Sequence, residues 1–150
     1  MPEYELSEQQ LIQMAQQEEN NLNSKKALLN QITGILRETN EAIESLKEIQ
    51  KKPKTAMMGL GVGVMVEVEI KGEGKCKRTF AENGYVEEKI EDTITWLGKR
   101  KEVINKQAMG IGREIAQSES KLNEIIGIVR QIEAEKKKFA AERSKNISTK

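Results

Sequence analysis

The chain has 150 residues, of which 37% are hydrophobic, 33% are charged and 3% are aromatic. Its 25 lysines and arginines nearly balance its 24 aspartates and glutamates, for a formal net charge of +1. So few large apolar side chains suit long helices with a narrow apolar stripe better than a compact core. The lack of histidine excludes a Ser-His-Asp triad, a Cys-His pair and a histidine-ligated metal. The single cysteine, Cys76, excludes an intrachain disulfide and a CxxC metal site.

Other functions are disfavoured by what the sequence lacks. No apolar run is long enough to span a membrane, and the acidic N-terminus has no apolar signal segment, which favours a cytoplasmic protein without membrane contact. Balanced charge argues against a nucleic-acid-binding module. No GxxxxGK[ST] motif occurs, and the glycine-rich stretch at 59–63 lacks the GxGxxG spacing. We therefore expect no cofactor, no metal and no enzymatic activity.

A heptad repeat predicts a first long helix over residues 6–52. The companion positions of this repeat are weaker because they include Glu18 and Lys25. Ser7 and Gln10 have the spacing of a capping box at the helix start, and Pro53 among three lysines marks the end. Stepping by seven residues gives an apolar series: Ala15, Leu22, Leu29, Leu36 and Ile43.

A second and more regular repeat predicts a helix over residues 87–145, with a flexible tail at 146–150. A sustained seven-residue period is typical of a left-handed coiled coil, so we expect the two helices to pack antiparallel. Seven of the eight positions in the series are apolar: Ile90, Leu97, Ile104, Ile111, Ser118, Ile125, Ile132 and Phe139.

The apolar period changes to two between the helices, which predicts two β-hairpins over residues 53–86. Thr55–Leu60 and the alternating segment from Val62 to Ile70 form the first hairpin, and residues 72–74 form a turn. Lys75–Ala81 is a weaker strand because it is polar. Asn83-Gly84 is typical of a hairpin turn, and Tyr85–Glu88 is a short strand leading into the second helix.

Four short strands bury little surface alone and leave open edges, so we expect the hairpins to assemble with other subunits into a β-barrel. The alternative is that the valine-rich strand only fills the core of its own insert. Tyr85 and Trp96 are interpreted mainly as packing anchors between sheet and helix, and Cys76 as a passive strand residue. The predicted oligomerisation residues are Met58, Leu60, Val62, Val64, Val66, Val68, Ile70 and Tyr85.

This layout resembles the prefoldin family, specifically its archaeal-type α-class subunit with two hairpins between the helices. The resemblance rests on three segments: the glycine-rich residues 59–65, the Gly-Tyr-x-x-Glu segment at 84–88, and the helical turn at 94–100 that ends in Arg100. It implies an ATP-independent chaperone that captures non-native proteins at its coiled-coil tips and delivers them to a group II chaperonin. The implied assembly is a hexamer of two α-class and four β-class subunits, or a self-oligomer.

Apolar residues at the free ends of the helices supply a mechanism for capture, because an unpartnered seam leaves them partly exposed. Plain coiled-coil core remains an alternative for Met14 and Phe139. A different class of function, a structural coiled-coil homo-oligomer or filament without client activity, also stays open. The predicted client-binding residues are Leu6, Leu11, Ile12, Met14, Ile132, Phe139 and Ala140.

Overall fold

The computed structural model describes residues 7–71 and 73–148. It contains two long helices and two antiparallel β-hairpins, which confirms the predicted fold class; the barrel between subunits stays a prediction. The elements in chain order are α1 (Glu8–Gln50), β1 (Thr55–Gly61), β2 (Val64–Glu69), β3 (Lys75–Ala81), β4 (Gly84–Lys89) and α2 (Ile90–Ser148).

The element bounds differ from the predicted ones mainly around the second helix. This helix begins at Ile90, because residues 87–89 still pair in the last strand. It extends to Ser148, into the segment predicted to be a tail. The described residues form two compact units, one of residues 7–31 with 109–148 and the other of residues 32–71 with 73–108.

The first helix begins and ends where its local chemistry predicts. The Ser7 amide donates to Gln10 Oε1 at 2.9 Å, and the Gln10 amide donates to Ser7 Oγ at 3.2 Å, which is the predicted capping box. At the other end the Lys52 amide donates to the Ile49 carbonyl at 3.0 Å, and Lys52 itself has a φ of 52°. A residue in this left-handed conformation turns the chain out of the helix before Pro53.

In the unit of residues 7–31 and 109–148, the two helices pack antiparallel. Glu8 pairs with Lys136, whereas Lys26 pairs with Glu119 at 2.9 Å, so the partners run in opposite directions along the two helices. The heptad positions form the seam, meaning the row of side chains that faces the other helix. The buried apolar seam residues of this unit are Leu11, Leu22 and Ile125.

In the unit of residues 32–108, the same heptad series continue. Ile43, Ile90, Ile104 and Thr39 are buried, and the Thr39 hydroxyl donates to the Ile35 carbonyl at 2.8 Å. A polar side chain is tolerated at this depth when a backbone carbonyl accepts its hydrogen bond. The first helix therefore buries residues of its apolar heptad series, such as Ile43, and also of its weaker companion series, to which Thr39 belongs.

The first hairpin, β1–β2, closes through residues 62 and 63 rather than continuing as a strand from Val62. Both Val62 (φ 53°) and Gly63 (φ 77°) have positive φ, the conformation of a two-residue type I′ turn. The prediction that Val62 is a strand residue is therefore wrong. Positive φ strains a β-branched residue, and the Val62 side chain is fully exposed at the turn.

The second hairpin, β3–β4, turns one residue earlier than predicted. The turn residues are Glu82 and Asn83, and Gly84 already pairs with Ala81 in the ladder. A register irregularity between Thr79 and Ala81 shifts the turn, and neither turn residue has a positive φ. The hairpin itself is confirmed, but the predicted Asn83-Gly84 turn is wrong. Of the predicted turn at 72–74, residue 72 lies outside the described residues.

Within the described residues the two hairpins form two separate two-stranded sheets. The first pairs Thr55 with Glu69 at its open end, and the second pairs Lys75 with Lys89. Every described strand therefore has one paired edge and one outer edge that pairs with no other described strand. Any further strand pairing must therefore take place at these outer edges.

Replacing Ile125 with alanine should lower the free energy of unfolding by about 2 kcal/mol or more, because the substitution leaves a cavity in the seam. Denaturant unfolding followed by circular dichroism measures this change. The matched control is Ile128→Ala on the exposed side of the same helix, with an expected cost below about 1 kcal/mol. Equal losses in the two variants would contradict the seam assigned here.

Candidate functional site

The described seam ends near residue 132 of α2. Glu8, the first residue of α1, pairs with Lys136, and every residue of α2 from 133 to 148 is exposed. The second helix thus continues well past the residue that meets the start of the first helix. The segment from 133 to 148 contains no buried seam residue, although Lys136 pairs with Glu8 at its beginning.

The exposed end of α2 carries an apolar stripe. Phe139 is 66% exposed and Ile147 is 76% exposed. Their spacing of eight residues places both on one side of a helix. We call this surface the tip face, and it consists of Ile132, Lys136, Phe139, Ala140, Arg143 and Ile147.

The sequence predicted three of the six tip-face residues, Ile132, Phe139 and Ala140, but it missed Ile147, because residues 146–150 were assigned to a tail. The missed signal was the spacing from Phe139, which continues the helical stripe by two more turns. Phe139 and Ala140 are exposed and Ile132 is half-buried, as predicted for a seam that runs out. Client contact by these residues stays a prediction.

The predicted residues on α1 have different environments. The prediction that Leu11 is partly exposed is wrong: it is 5% exposed, since its seam position faces α2. Met14 is half-buried, and Ile12 is exposed beside Leu122 and Val129 of α2. Leu6 lies outside the described residues. Exposed apolar surface at this end therefore belongs mostly to the second helix.

A polar layer interrupts the apolar seam within the same unit. Lys25 Nζ donates to Ser118 Oγ at 3.3 Å and lies 3.7 Å from a carboxylate oxygen of Glu114. Lys121 Nζ lies 3.3 Å from Glu18 Oε2. Hydrogen bonds from Ser118 and then from Lys121 lower the pKa of the Glu18 carboxyl. Because polar seam residues need matching partners, this layer favours one register of the helix pair.

A second polar network attaches β3–β4 to the start of α2. Arg78 Nε donates to Glu88 Oε1 at 2.7 Å, and the Thr93 hydroxyl donates to the same oxygen at 2.8 Å. These hydrogen bonds, with Arg78 first and Thr93 second, lower the pKa of Glu88. Cys76 Sγ lies 3.0 Å from Thr93 Oγ1, so the only cysteine is part of this network.

Trp96 lies between two arginines. The guanidinium of Arg78 is 4.2 Å from the centre of the indole ring, and that of Arg100 is 5.5 Å from it. Such cation–π contacts are attractive and hold the ring against the hairpin. The predicted anchoring role of Trp96 is confirmed. The same role predicted for Tyr85 is wrong, because its side chain alternates to the outer face of β4 and is 74% exposed.

The predicted oligomerisation residues are mostly uncovered within the described chain. Val68 and Ile70 are half-buried, while Tyr85 is exposed. A monomer would leave this apolar area in water at a cost that grows with its size. The surface is therefore available to a partner, and its use in assembly stays a prediction. The other exposed members are Met58, Leu60, Val62, Val64 and Val66.

Among residues 7–71 and 73–148, no group of three or more cysteine or carboxylate side chains could hold a metal ion. No described helix is long and apolar enough to cross a membrane. Exposed large apolar side chains of the described residues are found at both the tip face and the hairpins.

The prefoldin subunit family profile matches residues 15–135, which is most of the chain. This chain belongs to the prefoldin family. The match covers both hairpins and most of both helices, and it supports a chaperone-type role in an assembly of prefoldin subunits. No curated protein sequence matches the chain.

A solved structure shares this prefoldin fold. The chain is similar to a cryo-EM structure of filamentous PFD from Methanocaldococcus jannaschii, with a TM-score of 0.64 and 14% sequence identity. The similarity covers 77% of this chain and 97% of that one. At this identity the likeness shows the fold alone, and the assignment to the α class of prefoldin subunits stays a prediction.

Acid titration of Trp96 fluorescence should report the Arg78–Glu88 network, since Trp96 is the only tryptophan. The lowered pKa of Glu88 means that its stabilising contribution is complete above about pH 4.3 and is lost as pH falls through the folded-state pKa. We expect a fluorescence change centred below about pH 4.3. Glu88→Gln should abolish it.

The matched control for this titration is Glu87→Gln, which changes the neighbouring carboxylate on the outer face of the strand. This control should keep the wild-type transition. A Glu88→Gln protein that retains the full transition would show that another group controls the environment of the indole.

Proposed function

We propose that this prefoldin subunit is an ATP-independent holdase that captures non-native proteins at the tip face. The single observation that carries the proposal is the exposure of Phe139 and Ile147 on one side of a helix that continues past its described partner. A holdase binds and releases clients without a chemical step, so the proposal includes no enzymatic activity. It places the protein in the cytoplasm and makes a group II chaperonin the acceptor of its clients.

The physical basis of capture is the burial of apolar surface on the client. Fully burying a side chain such as phenylalanine or isoleucine contributes about 1.5–3 kcal/mol, so one tip binds weakly and reversibly. Several tips in one assembly bind the same client more tightly through their high effective concentration. Lys136 and Arg143 flank the apolar residues and keep the surface soluble between encounters.

The assembly that holds several tips together is proposed to form through the exposed hairpins. Two separate two-stranded sheets with uncovered apolar residues support this step. We propose that the subunit is of the α class and joins either four β-class subunits and a second α-class subunit, or copies of itself.

The double variant Phe139→Gln/Ile147→Gln should weaken suppression of client aggregation. We expect the chaperone concentration for half-suppression to rise at least about tenfold, because the client loses two apolar contacts at each tip. Light scattering from a chemically unfolded model protein, with the assembled chaperone present, measures this concentration.

The matched control is Lys137→Gln/Lys138→Gln, which changes exposed residues of the same helix segment without removing apolar surface. This control should keep the wild-type half-suppression concentration. If the Phe139 and Ile147 variant performs as well as wild type, the tip face is not the capture surface and the proposal fails.

A second candidate function is a structural filament without client activity. It is supported by the likeness to a structure described as filamentous and by the outer strand edges of both hairpins, since open head-to-tail contacts generate filaments when rotation does not close a ring. The exposed tip face favours the holdase, because a scaffold has no need of apolar helix ends.

Negative-stain electron microscopy of the chain alone tests the filament. The filament hypothesis predicts particles whose length grows with protein concentration, together with no effect on client aggregation. Particles of one fixed size would rule out the filament. Concentration-dependent filaments that suppress aggregation only with an intact Phe139 would combine the two functions.

A further inference from the structure

The outer edges of β2 and β3 carry opposite charges. In β2, Glu67 and Glu69 alternate with valines, and the strand has no basic residue. In β3, Lys75 and Lys77 are exposed on the face away from α2. Within the described residues none of these four side chains makes an ion pair, so their charges are available to a partner.

Three of these four charges have no oppositely charged neighbour across their own ladder. Glu67 and Glu69 lie opposite Met57 and Thr55, which are uncharged. Lys75 lies opposite Lys89, and like charges at directly opposite positions destabilise a strand pair. Only Lys77 has an oppositely charged neighbour across the ladder, Glu87. A second strand at each outer edge would complete the charge pattern.

The direction of the backbone groups identifies the residues that can bond at the outer edge of β2. The Ile70 amide donates to the Lys54 carbonyl at 3.0 Å, so residues 70, 68 and 66 turn their amides toward β1. Amide and carbonyl directions alternate along a strand. The backbone groups of Met65, Glu67 and Glu69 therefore point to the outer edge.

The same reasoning identifies the outer edge of β3. The Ile90 amide donates to the Gly74 carbonyl at 3.0 Å, so residues 74, 76 and 78 turn toward β4. The backbone groups of Lys75, Lys77 and Thr79 point outward. In both strands, therefore, the backbone amide and carbonyl groups of the charged residues point to the outer edge.

We propose that β2 of one copy of this chain pairs antiparallel with β3 of a second copy, with Glu69 opposite Lys75 and Glu67 opposite Lys77. In this register the outward backbone groups of both strands meet, and Met65 lies opposite Thr79. Shifting the register by two residues keeps the hydrogen bonds but leaves at most one Glu–Lys pair. The proposal rests on the proposed self-assembly through the hairpins and names the edges that perform it.

The other faces of the two strands bring together mostly apolar side chains in this register, with Arg78 as the one charged exception. Val68 lies opposite Cys76 and Val66 opposite Arg78, on the face that carries the Cys76–Thr93 contact. Val64 comes beside Phe80, and both side chains are exposed in the single chain. Pairing would therefore cover apolar surface on one face while it neutralises four charges on the other.

The partner is a second copy, because β2 and β3 of one chain lie in separate sheets. The segment between them joins Glu69 to Lys75. At its first end the Ile70 amide donates to the Lys54 carbonyl, next to β1, and at its last end the Gly74 carbonyl accepts from the Ile90 amide, next to β4. Each copy then donates β2 to one neighbour and β3 to another. This head-to-tail contact builds a ring or a filament.

Covalent trapping tests the register directly. Directly opposite residues at a position without ladder hydrogen bonds have Cα atoms about 4.5 Å apart, which suits a disulfide. Mild oxidation of the full-length Val68→Cys variant should therefore give dimers and higher multiples through Cys76 on a non-reducing gel. Adding Cys76→Ser should abolish them.

The matched control for trapping is Val66→Cys, which lies on the same face but opposite Arg78. It should give far less covalent product than Val68→Cys. Equal yields from the two variants, or a Val68→Cys product that migrates only as a monomer, would overturn the proposal.

Charge reversal tests the same contact without a new cysteine. Glu67→Lys/Glu69→Lys and Lys75→Glu/Lys77→Glu should each raise the protein concentration for half-assembly about tenfold or more at low salt. Mixing the two variants should restore the wild-type value, because each supplies the edge that the other needs. Sedimentation measures the assembly, and a mixture no better than its components would overturn the proposal.

The outcome of the aggregation assay separates this inference from the proposed function. If charge reversal leaves assembly unchanged while suppression still depends on Phe139, the edge pairing is wrong and the holdase stands. If mixing restores assembly but no sample suppresses aggregation, the edge pairing stands and the holdase is wrong.

Discussion

A two-stranded sheet has no interior strand, so every strand in it carries an outer row of amide and carbonyl groups. This chain has two such sheets, and the described residues of one do not pair with those of the other. Water can satisfy these groups, but it cannot cover Val64, Val66 and Tyr85, which are exposed on the same hairpins. In the assembly that we propose, partner strands cover these edges and several helix tips are brought to one client.

In the helix pair, polar contacts fix the register of α1 against α2, and no residue of α2 from 133 to 148 is buried. Glu18 and Lys25 interrupt the apolar seam, and Ser118 and Lys121 of the other helix supply their partners. Polar contacts of this kind add little stability but disfavour shifted registers. A fixed register keeps the end of α2, with Phe139 and Ile147, past the start of α1.

The periodicities of the sequence were sufficient to predict the helices and hairpins, because seven-residue and two-residue apolar repeats reflect which faces are buried. They were insufficient at turns and ends. The Val62 turn depends on a positive φ that valine rarely adopts, and the exposure of Tyr85 depends on which strand face meets α2. Ile147 was missed because a helix without a partner gives no burial signal. The Arg78–Glu88–Thr93 network could not be predicted, since it joins two elements through side-chain geometry.

Residue-resolved hydrogen exchange in the assembled protein tests the need to cover the strand edges most directly. The outward amides of Met65, Glu67 and Glu69 have no acceptor in their own hairpin, so only a partner strand can protect them. We expect slow exchange at these three amides in the assembly and fast exchange after dilution to the monomer. Fast exchange in both states would contradict the account, because it would mean that the assembly leaves these edges in water.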